Sequence, residues 1–319
     1  MKFPLIKGHL RATLRRQVLT RSGILARTAL HPIPFSSPAH QPVVHIARDA
    51  GIGDVLMLTP ALRELKRVNP TGRINFYTKF TDLVQGLPYI DAVHPYSAMP
   101  EGALFIEYTH IVPSPVHIAR LIGDKLGVRV TDTQPDCVVD QDIAARYASA
   151  WKDLPRPWVV ATRRASRFTP NKDWPDRSWT ELIGNVCRFG TVIEVGNRDG
   201  ADEGALGDSH LDLRDGTTIK ELTAAIAAAD IYVGPVSGPM HIAAAVRVPS
   251  VVVIGGFEHP VNTHYAGNVE FYTPLPCSPC WLREPCPIGL KCLHAISSGQ
   301  VTQAIQDMWT RMQEGPKGG

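Results

Sequence analysis

Residues 43–70 read VVHIARDAGIGDVLMLTPALRELKRVNP: a short apolar run, a turn with two glycines, then Val55, Leu58, Leu62 and Leu65 at helical spacing up to Asn69-Pro70. A strand that feeds straight into an amphipathic helix through a glycine turn is the first half of a parallel β-α-β unit. The alternation continues outward from it. Residues 74–78 (INFYT) read as the next strand, 80–87 as a short helix, 92–94 and 104–106 as strands, and 116–126 as a helix that stops at Gly127.

Residues 151–157 (WKDLPRP) interrupt the pattern, which then restarts. Strands are predicted at 158–161, 191–195, 230–233 and 250–254, and helices at 178–187, 219–228, 239–245 and 299–312. Strands alternating with helices build parallel sheets. The fold class is therefore predicted as α/β, with two Rossmann-like domains facing each other across a cleft, the GT-B architecture. The expected domains are an N-terminal one at 43–150 and a nucleotide-binding one at 158–298. Residues 299–319 form a C-terminal helix expected to cross back to the first domain. Residues 1–42 form a basic arm and Pro-rich linker.

At 319 residues the chain can bury two ordinary cores. With 44% apolar and 20% charged residues, it has the composition of a globular protein. No uninterrupted run of ~18 apolar residues predicts a membrane span. The net charge of +3 is unevenly spread. Residues 1–48 hold two Lys and six Arg and no acid, a charge of +8 that leaves −5 for the remainder. Arg15, Arg16 and Arg21 break every apolar run that a secretory signal would need, so a cytoplasmic location is expected. Leu10, Leu14 and Val18 place a narrow apolar stripe among these arginines. Residues 1–30 thus read either as a helix lying on an anionic membrane surface or as a solvated tail. No aromatics interleave the basic residues, which argues against nucleic acid.

Three strand-to-helix or loop loci can carry chemistry. Gly51-Ile52-Gly53-Asp54 begins like a dinucleotide fingerprint but has Leu56 where a third glycine belongs, and no Walker lysine follows. What remains is a close backbone approach at Gly53 and a carboxylate, Asp54, at a helix N-terminus, where it either caps or acts. Ser237-Gly238-Pro239-Met240-His241 opens another helix. Pro239 suits a first turn, Ser237 can cap, and the N–H groups of Gly238, Met240 and His241 are expected to point out of the helix end as an anion site. Asn171-Lys172-Asp173-Trp174-Pro175 follows the loop at Thr162-Arg163-Arg164, and places a lysine that can neutralise phosphate.

Of the six cysteines, Cys137 and Cys187 stand alone and read as small buried apolar residues. Cys277, Cys280, Cys286 and Cys292 fall within sixteen positions among four prolines. Such spacing suits either a structural zinc or iron held tetrahedrally or a reduced, metal-free loop. His259, His264 and His294 flank this segment and read as surface histidines.

GDVLMLTPALRELKRVNP (53–70), NKDWP (171–175), SGPMHIAAA (237–245) and CSPCWLREPCPIGLKCL (277–293) occur in register. Together they resemble glycosyltransferase family 9, the ADP-heptose:lipopolysaccharide heptosyltransferases. The resemblance covers roughly residues 43–310 and leaves the arm unmatched. It implies an inverting, metal-independent transfer of a sugar, heptose by resemblance, from a nucleotide-diphosphate donor to a lipopolysaccharide-core or other glycan or lipid-linked acceptor. It makes Asp54 the general base. Gly53, Thr162, Lys172, Ser237, Gly238, Met240 and His241 become donor-binding residues. Cysteines like these are common in the family, and some related protein heptosyltransferases hold iron with them. In one respect the chain departs from the family: Val236 stands where an Asp usually precedes the Ser/Thr-Gly pair. That departure keeps open a weakened or inactive sugar-nucleotide-binding or assembly subunit. A protein O-heptosyltransferase is the other alternative.

Overall fold

The computed structural model describes residues 37–109, 112–165, 169–198 and 208–314. The chain divides into two compact units between Ile33 and Pro34, and every described residue belongs to the second. The arm of residues 1–30 and its apolar stripe lie outside the described residues. At 38–40 the expected linker is a short 3-10 turn. Ser37 and Ala39 are buried there, so this stretch is part of the folded body rather than a free tether.

The first half contains β1 (Val43–Ala47), α1 (Ile52–Val68), β2 (Arg73–Thr78), α2 (Thr81–Val84), β3 (Ala92–Pro95), β4 (Leu104–Phe105) and α3 (Ile118–Leu126). Val55, Leu58, Leu62 and Leu65 are all buried, as their spacing required. Gly127 ends α3 with φ 71°, the left-handed cap that glycine adopts without steric cost. The strands form a parallel sheet in the order β3-β2-β1-β4. The chain steps from β1 through β2 to β3, then returns to the other side of β1.

The second half contains α4 (Gln141–Trp151), β5 (Trp158–Ala161), α5 (Asp176–Val186), β6 (Thr191–Glu194), β7 (His210–Asp212), α6 (Ile219–Ala228), β8 (Ile231–Gly234), α7 (Gly238–Ala245), β9 (Ser250–Gly255), β10 (Val269–Tyr272), α8 (Lys291–His294) and α9 (Ser298–Glu314). Its six-stranded parallel sheet has the order β10-β9-β8-β5-β6-β7. Here the direction reverses between β5 and β8. Open parallel sheets bind ligands beyond the carboxyl ends of their strands, at the point where the order reverses. Both halves have such a point, between β1 and β4 and between β5 and β8.

One apolar core includes residues of α1, α3, α6 and α7 and joins the two halves, with Leu58 and Leu62 in the same cluster as Met240 and Ala243. A second core covers the other face of the second sheet, where Trp174, Trp179 and Leu182 meet Val301, Ile305 and Met308. The apolar stripe of the last helix, α9, packs on α5 and β9 of its own half. Four elements are additional to those predicted, one of them the single-turn α8. Helix α4 buries only Trp151, so its amphipathic signal is faint. Strands β7 and β10 are three- and four-residue edge strands, too short for an alternation to show.

Candidate active site

At the first reversal point, Arg48 directly follows β1, and Ile106, Glu107 and Tyr108 follow β4. Arg48 was counted with the basic arm, but its side chain is buried under the cleft. It donates to the Ile106 carbonyl at 2.6 Å and to Asp54 Oδ1 at 2.5 Å. Its guanidinium lies 4.8 Å from the centre of the Tyr108 ring. Tyr108 donates its hydroxyl to the same oxygen, Oδ1 of Asp54. Burial, with the neighbouring Asp54 charge, holds that phenol well above its usual range, so it is a neutral donor. Asp54 Oδ2 accepts the Gly51 N–H at 2.8 Å. A carboxylate oxygen takes about two hydrogen bonds. Oδ1 is therefore filled, whereas Oδ2 keeps one acceptor position toward the cleft. Asp54 caps α1 and also faces the site. Glu107 supports Arg48 at 3.4 Å. Burial alone would raise its carboxyl, but the Thr109 N–H and the Arg48 charge bring it down to about 2.

At the second reversal point, the N-terminus of α7 meets that of α1. A Cβ on Gly53 would lie 2.4 Å from His241 Cδ2, and one on Gly238 would lie 2.9 Å from Ile52 Cβ. The two glycines allow both helix ends to open on one cavity of about 780 Å³, lined by Gly53, Asp54, Thr162, Lys172, Ser237, Gly238 and His241 among others. Met240 does not line it. Its side chain is buried in the core, so it can contribute only its backbone N–H. Two further expectations are corrected. Ser237 makes no side-chain cap; its hydroxyl donates to the Pro235 carbonyl at 3.2 Å. The His241 N–H is occupied by the Ser237 carbonyl at 3.2 Å, which leaves Gly238 and Met240 as the helix-end donors. The His241 ring is buried and shares a 2.7 Å hydrogen bond with the Tyr265 hydroxyl. Burial, reinforced by the Lys172 charge, pulls its imidazole down to about 3.

Lys172 is paired with Glu258 across the cavity and lies 5.2 Å from the centre of the Phe257 ring. Beyond β5, Arg163 grips the buried Glu194 with two bonds of 2.6 and 2.8 Å. The second Glu194 oxygen also meets His210 Nε2 at 2.8 Å. Arg163, Arg164 and Arg214 line the same cavity beyond β5 and β7, where they pair with Glu194, Asp176 and Asp212. Arg48, Tyr108, Glu194 and Glu258 belong to no motif. Their only sequence signal is a polar residue at or just beyond the end of an apolar strand.

The four clustered cysteines are free thiols. Among the described residues no three His, Cys, Asp or Glu side chains converge to hold a metal ion. The segment is ordered by other contacts. Asn171 donates to the carbonyls of Leu282 and Glu284 at 2.6 and 2.7 Å, and the backbone of Cys280 and Trp281 bonds to Gly256 and Phe257. Among the described residues no helix is long and apolar enough to cross a membrane.

The family model for glycosyltransferase family 9 (heptosyltransferase) matches residues 97–286. Lipopolysaccharide heptosyltransferase 1 of Salmonella typhimurium is 23% identical over 174 residues, covering 53% of this chain and 54% of that protein. The chain thus matches about half the length of this curated relative. Among solved structures, E. coli ADP-heptose lps heptosyltransferase II superposes with a TM-score of 0.65 at 15% identity, over 86% of this chain and all of that one. The dodecameric iron-containing heptosyltransferase TibC, in complex with ADP-D-β-D-heptose, gives 0.64 at 19% identity over 85% of this chain and 76% of its own. It comes from enterotoxigenic E. coli. A family 9 glycosyl transferase from Veillonella parvula gives 0.64 at 15% identity, over 84% of this chain and 97% of that one. These likenesses are of fold.

Proposed function

The chain belongs to glycosyltransferase family 9, and from that premise we propose that it is an inverting transferase moving a heptose from a nucleoside-diphosphate donor to a glycan acceptor of the lipopolysaccharide-core type. The observation that carries this reading is that Asp54 and Lys172, from the two halves, line one cavity with the α7 N-terminus. The acceptor hydroxyl gives its proton to Asp54 Oδ2 as its oxygen bonds to the anomeric carbon. The bond from that carbon to the diphosphate breaks on the opposite face, which inverts the configuration. The departing diphosphate gains negative charge. Lys172 and the N–H groups of Gly238 and Met240 meet that charge, and donors already in place need no reorganisation as the reaction proceeds. No step is routed through a metal at the four cysteines. The proposed site of action is the cytoplasmic face of the membrane, approached through the basic arm.

The test is release of ADP from ADP-heptose, with and without an inner-core lipopolysaccharide acceptor. Acceptor-dependent release supports the reading. Donor binding without any transfer would favour the non-catalytic subunit, the second reading, which the apolar Val236 in the cavity wall motivates.

A further inference from the structure

Glu258 lines the cavity, yet the transfer chemistry above leaves it without a task. Its carboxylate is 4% exposed and ion-paired with Lys172. The ion pair is made by Oε1, a fully buried oxygen. One such contact leaves the carboxylate with further acceptor positions. Two neighbours on the cavity wall are unsatisfied: Trp281 Nε1 and Thr263 Oγ1 are buried with no hydrogen-bond partner among the described residues. The Trp281 ring stacks at a tilt on Phe257, with centroids 5.3 Å apart. This wall thus offers a carboxylate acceptor, an indole donor, a hydroxyl and an aromatic surface. That combination suits a polyhydroxylated ring, with its hydroxyl edge and apolar face. A phosphate would be repelled by Glu258.

The position of this wall selects which ring. The floor that holds Arg163 and Arg214 lies beyond β5 and β7, on one side of the α7 N-terminus. Glu258 follows β9, on the other side, where strand order places it next to the end of β8. Asp54, Lys172 and His241 line the same cavity, and in the proposed transfer the reacting carbon lies between the base and the phosphate-binding lysine. Glu258 touches Lys172 and therefore borders that space.

Resting on the reading of the cleft as a sugar-nucleotide site, we propose that Glu258 is a specificity-determining residue whose carboxylate accepts hydrogen bonds from hydroxyls of the transferred sugar, with Trp281 donating to the same sugar. Val236, beyond the adjacent strand β8, brings no polar group. Glu258 stands one strand over from it.

The experiment is calorimetric titration of the full chain with two probes, ADP and ADP-heptose. The unmodified protein should bind ADP-heptose more tightly than ADP, and that difference is the increment due to the sugar. Glu258→Gln frees the Lys172 charge for the diphosphate of both probes alike, and should cut the ratio of ADP-heptose to ADP affinity by at least about tenfold, the scale of a hydrogen bond to a charged group. Glu258→Asp keeps the charge beside Lys172 but withdraws the carboxylate, and should also lose most of the increment. An equal change for both probes would overturn the proposal, since Glu258 would then act on the nucleotide or on Lys172 alone. No change for either probe, or no sugar increment in the unmodified protein, would overturn it too. Binding of neither probe by the unmodified protein would bring down the cleft reading itself, and the proposal with it.

Discussion

Asp54 is held on three sides, by the Arg48 guanidinium, the Tyr108 hydroxyl and the Gly51 N–H. Asn at this position keeps the size and most of the contacts but cannot take a proton. Asp54→Asn should lower transfer by at least ~100-fold while ADP affinity stays unchanged, the scale of a lost general base. Near-normal turnover would reduce Asp54 to a helix cap. Lys172→Ala should behave differently, because it removes charge from both the bound and the departing diphosphate; donor affinity and rate should fall together. Two buried histidines set a pH dependence. Burial and the Lys172 charge bring His241 down to about 3, and burial and the Arg120 charge bring His117 down to about 4. Unfolded, both return to about 6.5. Between these limits the unfolded chain binds more protons, so their stabilising effect is complete above about 6.5 and fades as pH falls toward 4. At pH 5 the loss should be on the order of 1–2 kcal/mol per histidine. Thermal unfolding at pH 7 and pH 5 checks it, and a Tm that does not drop would contradict the neutral, buried state of both rings.

At the scale of elements, the site depends on two helix N-termini meeting. The spacing of Gly53 and Gly238 was legible as a close backbone approach, but what approaches them was not. Gly53 abuts the His241 ring, and that ring cannot readily yield because the Tyr265 hydroxyl holds it. Gly53→Ala should therefore destabilise the protein by about 1–3 kcal/mol, typical of overpacking, as read by urea denaturation. An unchanged midpoint would mean that the helices separate at no cost. The cysteine segment read in the sequence as either a metal site or a metal-free loop, and its neighbours were not legible there: side-chain amide and backbone hydrogen bonds tie it to the rest of its half. Asn171→Ala leaves the Leu282 and Glu284 carbonyls without that donor, and should speed proteolytic cleavage within 277–292. Equal cleavage rates would show that the loop is held by something else.

For the whole molecule, the charge asymmetry separates the basic first residues from an acidic remainder. The described fold begins at Ser37 and Ala39, which are buried. Removing residues 1–33 should leave the Tm within a couple of degrees of the full chain. If the arm reaches for anionic lipid, the truncated protein should also lose salt-sensitive binding to phosphatidylglycerol vesicles, at roughly 1 kcal/mol for each basic residue near the surface. Equal vesicle binding by both forms would remove the arm from any membrane role.

The sequence by itself determined the alternation of strands and helices and where the glycine turns fall. It also showed which helix starts carry a carboxylate or an anion-binding turn. These are local properties: periodicity, capping and backbone freedom act over one or two turns of chain. Only the tertiary structure decided that Tyr108, 54 positions away, grips Asp54, that Glu258 neutralises Lys172, and that Arg48 serves the site instead of the arm. Those pairings depend on which strand ends become neighbours when the order reverses beside β1 and β5. A polar residue at the end of an apolar strand has no partner until the sheet order assigns it one.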